Sequence, residues 1–545
     1  MHTPKFIQLE RRPAPGRGSH SWTGAPWAVT CMAAALLLPG CKVDGTTVVV
    51  DTQDQAPTDP PPARANHSVE LPVPADPSVT YAAWFQVGSQ DDPVGREGLA
   101  WLTGELLAGG GTKSHPWQQI VELLFPMAAS WRVGVDREMT TISGRSHHET
   151  ADAFAALLTQ QWTEPAFDPQ DFERLRSEGL SYLQKNLRYA SDEELGKAGL
   201  EWLTFQGTRY AHPSVGTVAG LQAITLDDVK AFYAAHYTRD RVVFAIGGRY
   251  QQPQLDALEA SGQALPETAS ASPMPAPVPA PLEGKRLLII DKPGADASIS
   301  FGHPIDVHRG EPDFYALWLA NSWLGEHRNS SSHLFQVIRE ARGLNYGDYS
   351  YIEAFPNGGQ RQMPPTNVAR RAQLFQVWIR TLPNEHAHFA LRAAHRELEL
   401  FVEHGLTQAQ FELTRDFLRK YMLHFADTTS QRLGYAIDDQ FYGLDGPDGQ
   451  GHLDRFAAAL DSMTLEQVNA AIREHIDPSN LAIVIVTGEA QQLREAIVAD
   501  QPATISYPST KPPEVLAQDE LIGAHTLGIS ADRVTVIPVD EMFEN

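Results

Sequence analysis

"TLDDVKAFYAAHYTRDRVVFA", residues 225–245, lies over "TLEQVNAAIREHIDPSNLAIVI", residues 464–485, without a gap and at a separation of 239 residues. Thr225 meets Thr464, Val229 meets Val468 and His236 meets His475. Each copy reads as a threonine N-cap with acidic residues in the first turn, an amphipathic helix, a short turn and a buried apolar strand. Chance matches a few positions; a helix, a turn and a strand matched at one register indicate a duplication.

The beginnings of the two copies agree more loosely. "VTYAAWFQVGS" (79–89) and "ASISFGHPID" (297–306) read as strands running into turns, each followed by a helix, "GREGLAWLTGELLAG" (95–109) and "PDFYALWLANSWLG" (312–325). Between the copies lies "PETASASPMPAPVPAPLEG" (266–284), whose prolines and small residues are expected neither to pack nor to hold a helix. The organisation expected is a domain over 68–264, a Pro/Ala-rich linker over 265–284, a second domain over 285–502 and a tail over 503–545. Both domains are read as α+β, an antiparallel sheet covered by helices on one face. The tail, with its Pro-rich start and "ADRVTVIPVDEMF" (531–543), is expected to be an extended segment packing on the domains.

Residues 1–40 are read as a targeting segment. Arg11, Arg12 and Arg17 precede "WAVTCMAAALLL", an apolar run suited to a signal segment and short of the ~18 residues a spanning helix needs. The run ends in "LLPGC", which resembles a bacterial lipoprotein box with Cys41 as the lipidated residue. Cys31 leaves with the signal and Cys41 carries lipid, so no thiol remains for a disulfide or a thiolate metal site. Residues 41–67 read as a Pro-rich polar tether. The expected location is the cell envelope of a Gram-negative-type bacterium, facing the periplasm. Lys42 after Cys41 points to the outer membrane.

Four basic residues and one acid lie in residues 1–40, so the net charge of −24 becomes about −27 without them. That balance argues against nucleic acid or an anionic membrane surface as partner and favours basic or neutral peptides.

Four segments resemble the M16 peptidases, the pitrilysin and insulinase group that includes the mitochondrial processing peptidases and the core subunits of the respiratory bc1 complex. They are "QVGSQDDPVGREGLAWL" (86–102), "QGTRYAHPSVGT" (206–217), "IDKPGADASISFGHP" (290–304) and "LANSWLGEHRNSSSHLFQVIREARGLNYGDYSY" (319–351). The resemblance covers about residues 70–500. It implies two α+β halves facing each other as a clamshell around a peptide-holding chamber. It also implies zinc in the first half, held by His-x-x-Glu-His and by a Glu some seventy to eighty residues later. Two neutral imidazoles and a carboxylate leave one zinc position open, and the motif Glu takes the proton of the bound water.

The sequence departs from that pattern. Laid on the family's Gly-Leu-Ala-His start, "GLAWLTGEL" puts Trp101 at the first His, Gly104 at the Glu and Glu105 at the second His. One extra residue before Gly111 and Thr112 also lets Glu105 slide onto the position of the Glu, flanked by Trp101 and Leu106, neither a metal ligand. Glu178, 73 residues after Glu105, is the remnant carboxylate, with Glu193 and Glu194 competing. A lone carboxylate has no useful zinc affinity, so the residue is read as structural and the chain as carrying no metal and no catalytic residue.

Other histidines do not rebuild the site in this reading. His147 and His148, adjacent at a helix start, are expected to point apart, as are His386 and His388. His388, His395 and Glu399 share a helix face by spacing, and a solvated face is the expectation. In the second half, active family members hold the substrate carbonyl with an Arg and a Tyr seven residues apart. Arg339 and Tyr346 have that spacing, Arg342 does not, and Gly343 reads as a helix stop.

The function implied is that of a lipid-anchored, non-catalytic M16 subunit. It would supply Arg339 and Tyr346 for peptide proteolysis by a partner M16 chain that carries the zinc. One alternative is a pseudo-peptidase that binds peptides or scaffolds an envelope complex. The other is a zinc metallopeptidase with an unconventional site.

Overall fold

The computed structural model describes residues 68–269, 271–446 and 449–545. The signal segment, Cys41 and the tether to residue 67 lie outside the described residues.

The two threonine caps form as read. Thr225 and Thr464 each accept the amide of the residue three on, Asp228 at 3.2 Å and Gln467 at 3.3 Å, whose side chains accept the threonine amides in return at 2.8 Å. These capping boxes open the helices Leu226–His236 and Leu465–His475. After each helix and a turn the chain enters a strand in which every residue is buried.

The first half folds into a five-stranded sheet of β1 (Val69–Pro72), β2 (Ser78–Phe85), β3 (Ser130–Val135), β4 (Thr140–His147) and β5 (Val242–Gly248), in the order β1-β5-β2-β4-β3. The second half uses β6 (Arg286–Asp291), β7 (Ala297–Ile305), β8 (Asp348–Tyr351), β9 (Gln373–Leu382), β10 (Ala482–Thr487) and β11 (Val534–Pro538). Their order is β11-β6-β10-β7-β9-β8. Without β11 the two orders are one topology written twice, so the duplication read from two short segments extends to the whole architecture. The pairing is antiparallel from β5 through β3 and from β10 through β8. The first strand of each half joins in parallel, β1 on β5 and β6 on β10, so the sheets are mixed.

Strands β5 and β10 are buried on both faces because each half lends the other a helix. Asp192–Thr204 of the first half lies on β7 and β10, and Thr429–Phe441 of the second lies on β5 and β1. The first of these helices approaches closely because it presents glycines. A Cβ on Gly196 would lie 3.3 Å from Ser300 Oγ, and one on Gly199 would lie 3.1 Å from Val484. The strands under these helices are therefore covered on both faces, not on the one face the strand pattern suggested, while β3 keeps one face open at Ser130, Arg132 and Gly134.

The tail contains regular structure. Helix Pro513–Ala524 packs on Ala387–His404, and β11 adds in parallel to the edge of β6. The last residues cross to the first half, where Phe543 and Glu544 carbonyls accept the Val218 and Ala219 amides at 3.0 and 2.8 Å. Arg188 closes the contact, donating to the Met542 carbonyl at 3.0 Å and pairing with Glu544 at 2.8 Å. The linker also makes contacts the composition did not suggest. Met274 accepts from Arg371 at 2.9 Å, and Ala271 from Arg241, because proline leaves the carbonyls of such a segment free to accept.

Candidate functional site

Helix Leu99–Gly109 begins where the buried carboxylate of Asp92 accepts the amides of Gly98 and Ala100, both at 2.7 Å. Leu102, Leu106 and Leu107 enter the core. Trp101 and Glu105, four residues apart, share the opposite face and line a cavity of about 580 Å³ between the two halves. The 101/105 face of the helix thus looks into the cavity and not into the core.

The chemistry of a zinc hydrolase is nevertheless missing. The indole of Trp101 lies on Gly179 of helix Pro169–Ser181, so an apolar ring fills the space of the first imidazole. Gly104 faces β3, where a Cβ would come within 2.6 Å of Val135, leaving no room for a glutamate. Burial pushes the Glu105 carboxyl up to about 7, and the negative charge of Glu178 adds to the shift against Arg174. No histidine lines the cavity among the described residues. The residues present do not fit zinc, and no hydrolytic step can be routed through it.

Glu178 stays outside the cavity, exposed and paired with Arg174 at 3.3 Å, while Tyr182 reaches the wall beside Trp101. Glu194 lines the cavity and holds Lys197 at 2.8 Å, and Glu193 holds the same ammonium at 2.9 Å and Arg380 at 3.0 Å. Both are anchored by cations, with no free carboxylate for a metal.

Arg339 and Tyr346 also lie outside this cavity. Arg339, in the last turn of the short π-helix Phe335–Glu340, lies over the Phe335 ring at 5.3 Å and pairs with Glu340. Tyr346 is 80% exposed. Gly343, at φ 74°, stops the helix and donates to the Arg339 carbonyl at 2.7 Å. Arg342 is the buried one of the two arginines and pairs with Asp519 of the tail at 2.7 Å.

What the sequence did not disclose is the clamp beside the cavity. Arg370, just before β9, holds Asp136 of the β3–β4 turn through two bonds of 2.7 Å and Glu201 through one of 2.9 Å. Arg137 takes the other oxygen of Glu201 at 2.5 Å. Burial alone would raise the Glu201 carboxyl, but the two guanidiniums hold it down at about 2. Next to this pair, the Arg371 amide donates to Glu138 at 2.8 Å, and Tyr210 donates to the same carboxylate. Arg370 and Asp136 are 234 residues apart, and no local pattern links them.

The remaining histidines differ from expectation. The rings of His147 and His148 lie 4.4 Å apart, because β4 ends at the first and a 3-10 turn starts at the second. His388 accepts from Arg392 at 3.0 Å, and burial, with Arg392 adding, pushes it down to about 4. His395 is fully buried, not on a solvated face, and turns to His525 of the tail.

Two family models match the chain and together cover more than half of it: the insulinase model of peptidase family M16 over residues 71–211 and the peptidase M16 inactive domain over 223–418. An uncharacterized zinc protease of Streptomyces coelicolor is 25% identical over 418 residues, 74% of this chain and 83% of that one. A non-peptidase homolog of Helicobacter pylori is 24% identical over 408 residues, 74% of this chain and 88% of that one. The crystal structure of a peptidase M16 inactive domain from Pseudomonas fluorescens superposes with a TM-score of 0.66 at 22% identity, over 77% of this chain and 97% of that one.

Proposed function

The chain belongs to the M16 peptidase family, and from that premise we propose that it is a pseudo-peptidase, acting through contact with peptide or partner and not by hydrolysis. The observation that carries this reading is helix Leu99–Gly109: Trp101 lies against Gly179 where an imidazole would stand, and Gly104 against Val135 leaves no room for a glutamate. The name of the Helicobacter pylori relative supports it.

Within this reading the chain is a lipid-anchored subunit of the envelope, held by Cys41. It presents Arg339 and Tyr346 to an M16 partner with an intact His-x-x-Glu-His and takes no cofactor for proteolysis itself. The exposure of Tyr346 supports use by a second chain, since a phenol at the surface is free to donate to a carbonyl brought to it. A second reading, a closed scaffold, is favoured by the buried Arg370–Asp136 clamp, which holds the halves together.

Peptide cleavage separates these readings. The subunit reading expects no cleavage by the chain alone, cleavage when the zinc-bearing partner is added, and a loss of at least ~10-fold with Arg339→Ala or Tyr346→Phe. The scaffold reading expects both variants to match the parent. Chelator-sensitive cleavage by the chain alone, abolished by Glu105→Gln, overturns both.

A further inference from the structure

We propose that His395, His525 and Glu399 form a site for a divalent transition metal, with zinc as the fitting ion, that fastens the C-terminal tail to helix Ala387–His404. The site is separate from the degenerate motif helix and independent of the proposed function.

His395 Nδ1 and His525 Nε2 face each other at 2.8 Å. The other nitrogen of His395, Nε2, lies 3.0 Å from the carbonyl of Pro478. A carbonyl only accepts, so the proton of this imidazole sits on Nε2 and Nδ1 directs its lone pair at His525. An imidazole oriented by a backbone carbonyl on its far side is the arrangement that metal-binding histidines use. Glu399, one turn further along the helix, brings its carboxylate to 3.7 Å from His525 Nε2; its 3.8 Å approach to His395 is to Nε2, the nitrogen turned to Pro478. The ligand atoms of the three residues all fall within 4.8 Å of one another.

The donor set of two imidazoles and one carboxylate suits zinc. Zinc at ~2.0–2.1 Å from two nitrogens sets them roughly 3.3 Å apart, so the rings separate by about half an ångström. His525 follows the tail helix Pro513–Ala524 as its C-cap, so that shift falls on a residue just past the helix end. Facing that lone pair, His525 Nε2 holds the proton of the 2.8 Å bond, and this proton moves to Nδ1 of the same ring when a metal takes Nε2. Lys285 opposes a cation here and the Glu399 carboxylate favours it. Glu399 is 44% exposed, so the site opens to solvent on the side where an ion enters and a water completes the coordination. The physical gain is a cross-link between a buried helix and a tail whose far end already reaches the first half.

The test is zinc titration of the full chain, stripped with a chelator, against a chromophoric zinc indicator. One equivalent bound with a dissociation constant of about 1 µM or tighter is expected. His525→Ala, at a part-buried position and checked for folding by circular dichroism, is expected to weaken binding at least ~30-fold. Glu399→Gln is expected to weaken it to a lesser degree, and His148→Ala at an exposed histidine pair to leave it unchanged. Zinc is also expected to slow proteolysis of the tail beyond residue 502 in the parent and not in His525→Ala. Sub-stoichiometric zinc, or binding that survives His525→Ala, reduces the pair to a hydrogen bond between neutral imidazoles and overturns the proposal.

Discussion

The indole of Trp101 occupies the space that any side chain at Gly179 would need: a Cβ there would stand 2.5 Å from ring carbon Cζ3. Gly179→Ala is therefore expected to cost ~1–3 kcal/mol. Trp101→Ala opens the space and makes the second substitution nearly neutral, a coupling of at least about 0.5 kcal/mol in a double-mutant cycle read by denaturant unfolding.

Gly104 has the same kind of restriction against Val135, at 2.6 Å. Rewriting the helix with Trp101→His, Gly104→Glu and Glu105→His is expected to give no zinc-dependent cleavage and to lower stability by about 1–3 kcal/mol. Adding Val135→Ala is expected to recover part of the melting temperature, because it removes the methyl group in the way of the new side chain.

Glu105 supplies a pH dependence. Its folded value of about 7 lies above the ordinary carboxylate value, so between these two the folded state binds more protons than the unfolded one. Stability then falls as pH rises from about 4.5 to 7. In Glu105→Gln this part of the slope is expected to vanish, with the variant more stable than the parent at pH 8 by up to ~2 kcal/mol. Equal slopes for parent and variant in a pH series of unfolding midpoints contradict this.

Arg370 faces two carboxylates, Asp136 and Glu201, in the seam between the halves. Arg370→Met leaves both buried and underpaired, and a loss of ~3–5 kcal/mol is expected. Arg145→Met, whose pair with Asp76 is half exposed, is expected to cost less than about 1 kcal/mol. Small-angle scattering of the Arg370 variant is expected to show a larger radius of gyration, since this clamp ties one half to the other.

The division between sequence and tertiary structure follows the range of the forces involved. Helix caps, amphipathic periods and apolar strands act within a few residues, so the duplication was legible from the two segments at Thr225 and Thr464. The loss of imidazoles was legible from residues 98–112, because it is a matter of residue type. The expectation for His395 failed because spacing places a side chain on a face but does not say what covers that face. Tertiary structure decided the rest: the exchange of helices between sheets, the Trp101 ring on Gly179, the Arg370 clamp and the meeting of His395 with His525. Each joins residues far apart in the chain, where no periodicity relates the partners and only packing sets their distance.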